Sequence, residues 1–201
     1  MNMTKSLVSV VLLAAGKSER MGQNKLLMPF RGDAIIGRTL DNLLASRAGE
    51  IVVVLGSRAQ EITKVIGGRP ATLVLNQNYA QGMSTSLITG LLMVSKQAKF
   101  VLVALGDQPF ITRHTYDRLI EAVLNTDKGL VVPVYRQRRG NPILIRAGYI
   151  PEILRFTGDV GGRELLVRYP DDILELEVPD EGIIINVNTP EEYEKRIGSA
   201  G

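Results

Sequence analysis

A three-layer α/β/α sandwich on a mostly parallel sheet is the fold this sequence predicts. Three observations predict it. Short runs of Val, Leu and Ile without polar alternation recur along the chain, as strands covered on both faces require. Segments with apolar residues at helical spacing lie between them. Glycine-containing polar clusters follow directly on the strand-like runs, where a Rossmann-like α/β sheet places its ligand loops.

The first strand is the run from Leu7 to Leu13. Ile36–Ala45 follows as a helix, with Ile36, Leu40, Leu43 and Leu44 on one face. Ile51–Leu55 and Ala71–Leu75 are the next strands, and Ser84–Ser95 is a helix carrying Leu87, Ile88, Leu91 and Leu92. Phe100–Leu105 is a strand, and the helix after it has Thr112 at the N-cap and Tyr116, Leu119, Ile120 and Val123 as its buried stripe. Leu130–Val134 is a further strand. Pro142–Ile145 and Ile173–Val178 are strand-like but follow Gly- and Arg-rich turns, so one of them is expected to pair antiparallel. A last helix starts with Thr189 as N-cap, Pro190 at the first helical position and Glu192 in the first turn. Alternation of this kind argues for a single α/β domain over 1–201, and neither a repeat nor a linker interrupts it.

Composition narrows the class of function. The chain has 201 residues, enough for one full core, and its 45% hydrophobic and 22% charged content is that of an ordinary globular protein. A net charge of +3 without a Lys/Arg run argues against nucleic acid as a partner and is compatible with small anionic substrates. With no cysteine, disulfides, thiolate chemistry and Cys-based zinc sites are excluded. The absence of a membrane-length apolar run and of a signal-peptide pattern leads to the expectation of a cytoplasmic protein with no membrane contact.

The richest segment is Leu13-Ala14-Ala15-Gly16-Lys17-Ser18-Glu19-Arg20-Met21-Gly22-Gln23-Asn24-Lys25. Small residues release the chain from the first strand into a loop with two glycines and several cations. Such a loop can turn backbone N–H groups towards a polyphosphate, with Arg20 and Lys25 supplying mobile positive charge. It is no P-loop, because its glycines stand one residue too far apart and no Lys-Ser/Thr pair follows. Three further clusters follow strand-like runs: Asn76 to Ser84, Gly106-Asp107-Gln108-Pro109, and Asn186 to Pro190 after the apolar run Ile183–Ile185. Asp107 comes straight after a nearly all-apolar run, where an unpaired carboxylate is costly. A divalent cation beside a nucleotide would stabilise it, since magnesium takes one or two protein oxygens plus phosphates and water. A turn-forming role is the alternative for this residue. Asn188 is the natural second oxygen, and Asp159 is either a further carboxylate or the N-cap of a helix over Val160–Val167.

These motifs, with Gly82-Met83-Ser84-Thr85-Ser86-Leu87 and Asn188-Thr189-Pro190-Glu191, resemble the nucleotidyltransferases related to molybdenum cofactor cytidylyltransferase and guanylyltransferase, over about Val8 to Arg196. Arg139-Gly140-Asn141-Pro142 and the stretch from Gly158 to Leu166 are similar to the cytidylyltransferase branch. Ala15 in Leu-Ala-Ala-Gly favours cytidine, where the guanylyltransferases carry Leu-Ala-Gly-Gly. One departure is that Asn188 stands where many relatives have aspartate.

The resemblance implies transfer of CMP from CTP to the terminal phosphate of the molybdenum cofactor, with magnesium, or alternatively manganese, held by Asp107 and Asn188. Lys25, Arg20 and Asp107 would be catalytic. Leu13, Ala14, Ala15, Gly16, Gly22 and Lys25 would contact the nucleotide, and Gly82 and Ser84 would border the nucleoside. Arg139, Asn141 and Arg163 would bind the acceptor. The nucleotide part would span about 7–110 and the acceptor part about 111–190, with transient contact to a molybdenum hydroxylase. A phosphate nucleophile is already ionised, so His114, the only histidine, has no base to supply. Two other readings stay open: transfer to a sugar or polyol phosphate, and a non-catalytic cofactor-delivery chaperone.

Overall fold

A computed structural model describes residues 7–17, 24–186 and 190–194 of the chain. Strand β1 (Val8–Ala14) is buried along almost its whole length and pairs in parallel with β4 (Ile51–Leu55) on one side and β6 (Phe100–Leu105) on the other. A strand in that position must be apolar on both faces, which is why Val8 to Leu13 shows almost no alternation in sequence. β5 (Thr72–Leu75) closes the β4 edge, also in parallel. Beyond β6 come β9 (Ile143–Arg146), β7 (Leu130–Tyr135) and β10 (Ile173–Glu177), giving the order β10-β7-β9-β6-β1-β4-β5. Of the two late runs, β9 is antiparallel to both its neighbours and β10 is parallel to β7. The short strand β8 (Arg138–Arg139) pairs with the end of β7. Pro133, which has no N–H to give, lies where the partner of β7 changes from β9 to β8.

Side chains of β1 alternate between two cores. Val8, Val10, Leu12 and Ala14 pack with the stripes of α1 (Ile35–Leu44), α2 (Ala59–Ile66) and α4 (Arg113–Leu124), among them Leu40, Ile62 and Leu119. Val11 packs on the other face with Leu87 and Leu91 of α3 (Met83–Leu91), Ile153 of α5 (Ile150–Ile153) and Leu165 of α6 (Arg163–Arg168). These are the three layers expected. A small hairpin of β2 (Pro29–Phe30) and β3 (Asp33–Ala34) leads into α1. Its turn has positive φ at Arg31 and Gly32, as the tight hairpin turns demand. The hairpin sets Phe30 edge-on to Phe110, with ring centroids 5.1 Å apart.

Several local expectations are corrected. The apolar run 183–185 is not a strand; Glu181–Ile184 forms a 3-10 turn, with the Asp180 carboxylate accepting from the Gly182 N–H. Thr112 sits at the N-cap of α4, but its side chain does not cap. Asp180, distant in sequence, accepts from the Thr112 N–H and from the hydroxyls of Thr112 and Thr115. Asp159 does not cap a helix over Val160–Val167: that helix is α6, which starts at Arg163 after Gly162. Instead the Asp159 carboxylate accepts from the Met83 N–H at the head of α3, at 3.3 Å. The proposed cap at Thr189 lies outside the described residues, and α7 covers Pro190–Tyr193. Helix α2 and the β2–β3 hairpin were not foreseen.

The loop 157–162 is docked onto α3 by its backbone. The Gly158 carbonyl accepts from the Ser84 N–H at 3.2 Å and from the Ser84 hydroxyl at 2.8 Å. Gly82 makes this approach feasible. Its φ is +116°, and a Cβ there would lie 2.2 Å from the Gly158 oxygen. We expect Gly82→Ala to destabilise the fold by about 1–3 kcal/mol, from the glycine-only backbone conformation alone, measured by chemical denaturation. An unchanged midpoint would show that Gly82 does not hold this backbone conformation. Tyr116 carries the opposite sign. It is fully buried, its hydroxyl has no partner, and burial, then the nearby Asp180 charge, pushes its pKa up. An unmatched buried hydroxyl costs about 1–3 kcal/mol, so Tyr116→Phe should leave stability unchanged or raise it by about 1 kcal/mol. A clear loss of stability would contradict this.

Candidate functional site

The chain reverses its direction of growth across the sheet after β5, crossing back to the other side of β1. β4 and β5 are laid down on one side of it, and β6 then begins the other side. Loops leaving the carboxyl ends of β1 and β6 therefore diverge and leave a crevice between them. A cleft of about 920 Å³ lies there. Leu13 to Lys17 form one wall, Lys25 and Leu26 lie beside them, Tyr79 to Met83 and Ser86 form another, and Leu105, Asp107, Asp159 and Asn186 complete it. All four polar clusters singled out in the sequence reach this one cleft.

Asp107 is held by its own turn. The Gly106 N–H donates to the Leu13 carbonyl at 2.9 Å, stitching the end of β6 to the end of β1. The Thr39 hydroxyl of α1 donates to the Gly106 carbonyl at 3.1 Å. A side chain at Gly106 would meet Ile36 at 2.9 Å and the Leu13 oxygen at 3.1 Å, so glycine is needed for this close approach. The Asp107 carboxylate, 11% exposed, is paired with the Lys25 ammonium at 2.5 Å. Lys25 opens a short 3-10 turn (Lys25–Leu27) that Asn24 caps by accepting from the Leu26 N–H at 3.0 Å. The cost of a carboxylate at the end of a buried strand is thus met by a lysine from a distant loop.

Asn186 enters from the segment after the 3-10 turn. Its side-chain oxygen is buried and has no hydrogen-bond partner. Asn186 and Asp107 both line the cleft, and an orphaned amide oxygen and a carboxylate are hard oxygen donors suited to magnesium or manganese. Among the described residues no group of three or more His, Cys, Asp or Glu could enclose a metal. Two protein oxygens completed by phosphates and water fit this donor set. Gln108, next to Asp107, is 1% exposed; its amide donates towards the Ile183 and Ile185 carbonyls, and its own oxygen is unpartnered.

The other expected site residues fall into three groups. Ala14, Ala15, Gly16 and Gly82 line the cleft with Leu13. Ser84 is fully buried and turned to the Gly158 carbonyl, and Ser86, two residues on, lines the cleft in its place. The Gly158 oxygen, 2.2 Å from where a Cβ of Gly82 would lie, is by itself enough to require glycine at this lining position. Arg139, Asn141 and Arg163 are not in the cleft lining. The Arg139 guanidinium pairs with Glu175 at 2.6 Å, the buried Asn141 donates its N–H to the Ile183 carbonyl at 2.9 Å, and Arg163 is exposed at the head of α6. His114 is exposed in the first turn of α4 and also outside the lining. Arg20, Gly22 and Asn188 lie outside the described residues. Tyr79 and Lys17 are lining residues that sequence reasoning passed over. Lys17 stands inside the loop already singled out, whereas nothing local marks Tyr79.

Residues 10–173 match the family model described as the MobA-like NTP transferase domain. Three curated relatives are similar over nearly their whole length. Nicotine blue oxidoreductase of Paenarthrobacter nicotinovorans is 31% identical, covering 92% of this chain and 94% of its own. Purine catabolism protein PucB of Bacillus subtilis is 30% identical over 92% and 93%. Molybdenum cofactor cytidylyltransferase of Escherichia coli is 26% identical over 94% of each. Among solved structures, Rv0371c of Mycobacterium tuberculosis superposes with a TM-score of 0.87 at 26% identity, covering 96% and 98%. Its complex with manganese superposes at 0.83 with 25% identity, covering 96% and 99%. The family match over most of the chain and the crevice at the β1–β6 reversal agree, and the chain belongs to the MobA-like NTP transferase family as a nucleotidyltransferase.

Proposed function

We propose that this nucleotidyltransferase moves the CMP group of CTP to the terminal phosphate of the molybdenum cofactor and releases pyrophosphate. The observation that carries the reading is the Lys25–Asp107 pair, set in a cleft walled by the Leu13–Lys17 strand end and by Asn186, whose buried side-chain oxygen has no partner. The cytidylyltransferase of Escherichia coli among its relatives, and Ala15 in the first loop, support cytidine.

An acceptor phosphate oxygen forms a bond to the α-phosphorus as the bond between that phosphorus and the α,β-bridging oxygen breaks. The electron pair leaves with pyrophosphate. Such a reaction asks the protein for position and charge, and a phosphate nucleophile needs no base. Backbone amides from Ala15 onwards would cradle the phosphates. Lys25, relieved of Asp107 when nucleotide and cation arrive, would turn its ammonium to the charge growing on the α-phosphate and leaving group. Asp107 and the amide oxygen of Asn186 would hold a divalent cation, with Asn188 as a further oxygen. A bound cation supplies charge neutralisation to phosphate oxygens of nucleotide and acceptor.

Calorimetric titration of CTP, GTP and ATP, with and without magnesium, tests base and metal together. The expected result is a preference for CTP that strengthens with magnesium. Preference for GTP or ATP would overturn the cytidine assignment, and no nucleotide binding at all would favour a delivery protein. Pyrophosphate release that needs CTP and the molybdenum cofactor, but accepts no sugar or polyol phosphate, is expected of the acceptor. Lys25→Ala should lower turnover by roughly 10²- to 10³-fold, the loss typical of one transition-state charge donor, with the fold retained by circular dichroism. Full activity in that variant would remove Lys25 from the chemistry.

A further inference from the structure

Gln108 is a buried amide that the reaction does not use directly. It follows Asp107 immediately, and at 1% exposure its side chain is enclosed between the β6 turn and the 3-10 segment Glu181–Ile184. Its Nε2 lies 3.3 Å from the Ile183 carbonyl and 3.5 Å from the Ile185 carbonyl. Ile185 directly precedes Asn186, a lining residue of the cleft whose buried side-chain oxygen has no hydrogen-bond partner. The Gln108 amide therefore spans from the residue after Asp107 to the residue before Asn186.

The span is costly for a merely structural contact. The Gln108 Oε1 is buried and unpartnered, and both donor distances are long. The Ile183 carbonyl already accepts from the Asn141 N–H at 2.9 Å and does not depend on Gln108. An apolar side chain of the same length would fill this place without an orphaned oxygen, so fold stability does not explain the amide.

We propose that Gln108 is a positioning residue that sets the spacing of Asp107 and Asn186 across the cleft, and with it the affinity of the cation site. This rests on the reading that those two residues hold a divalent cation. Outer partners of metal-holding residues typically contribute about 10- to 100-fold in metal affinity. Gln108 is suited to that role because it ties two chain segments that no strand pairing joins.

The test uses Mn²⁺ alone as the probe, with binding to the whole chain followed by electron paramagnetic resonance and melting followed in parallel. Gln108→Met keeps the length and removes both polar groups; Gln108→Leu removes them with a shorter side chain. Both are expected to bind Mn²⁺ about 10- to 100-fold more weakly, and Gln108→Met is expected to melt at or above the temperature of the unaltered chain. If Gln108→Met fails to fold, Gln108→Leu carries the comparison. Unchanged Mn²⁺ affinity in the folded variants overturns this inference alone. Weaker binding matched by a general loss of melting temperature in Gln108→Met overturns it too, since a structural role would then suffice. No Mn²⁺ binding by the unaltered chain overturns the cation reading and this inference with it.

Discussion

The parallel pairing of β1 with both β4 and β6 is the constraint from which the rest of the molecule follows. It buries β1 on both faces, fixes two opposed cores in alternate register along one strand, and sends the chain to opposite sides of that strand before and after. The crevice is a geometric consequence of that reversal. The stitch from the Gly106 N–H to the Leu13 carbonyl continues the same pairing one step past the sheet, so the register of β1 and β6 also sets where Asp107 stands.

Electrostatics at the end of β6 explain why the cleft is chemically ready. A carboxylate at that depth is unfavourable alone, and the Lys25 ammonium offsets it from a turn that Asn24 caps. A pair with about a tenth to a fifth of each side chain exposed is strong enough to hold both groups in place. It is also open enough for nucleotide phosphates and a cation to compete for them. Asn186, a lining residue of the cleft, and Gln108, next in the chain to Asp107, each carry a buried oxygen without a partner. Unpaired polar atoms are unfavourable for stability, and the one on Asn186 stands on a residue that lines the cleft, as a site shaped for something other than stability would have it.

The walls depend on contacts between residues remote in sequence. Asp159 and Gly158 hold the head of α3, Asp180 holds the head of α4, and Asn141 and Gln108 hold the segment before Asn186. Two of these helix starts read as local devices in the sequence, with Asp159 capping the helix after it and Thr112 capping its own. In both cases a carboxylate reaches a helix start that it does not precede in the chain.

Local chemistry determined a great deal. Two-sided apolar runs, helix-period stripes and glycine-polar clusters at strand ends sufficed for the layers, for most strands and for the four segments of the site, because burial and backbone conformation are written residue by residue. Asp107, Lys25 and Gly16 were legible for the same reason. Only the tertiary structure decided that Lys25 meets Asp107, that Ser84 turns inward while Ser86 faces the cleft, and that Arg139 and Asn141 bind Glu175 and Ile183 rather than line the wall. It also decided that the apolar run 183–185 is a turn presenting Asn186 and not a strand. Those outcomes depend on which distant segment arrives at a given side chain, and pairing across the sheet carries no signature in the residues on either side of it.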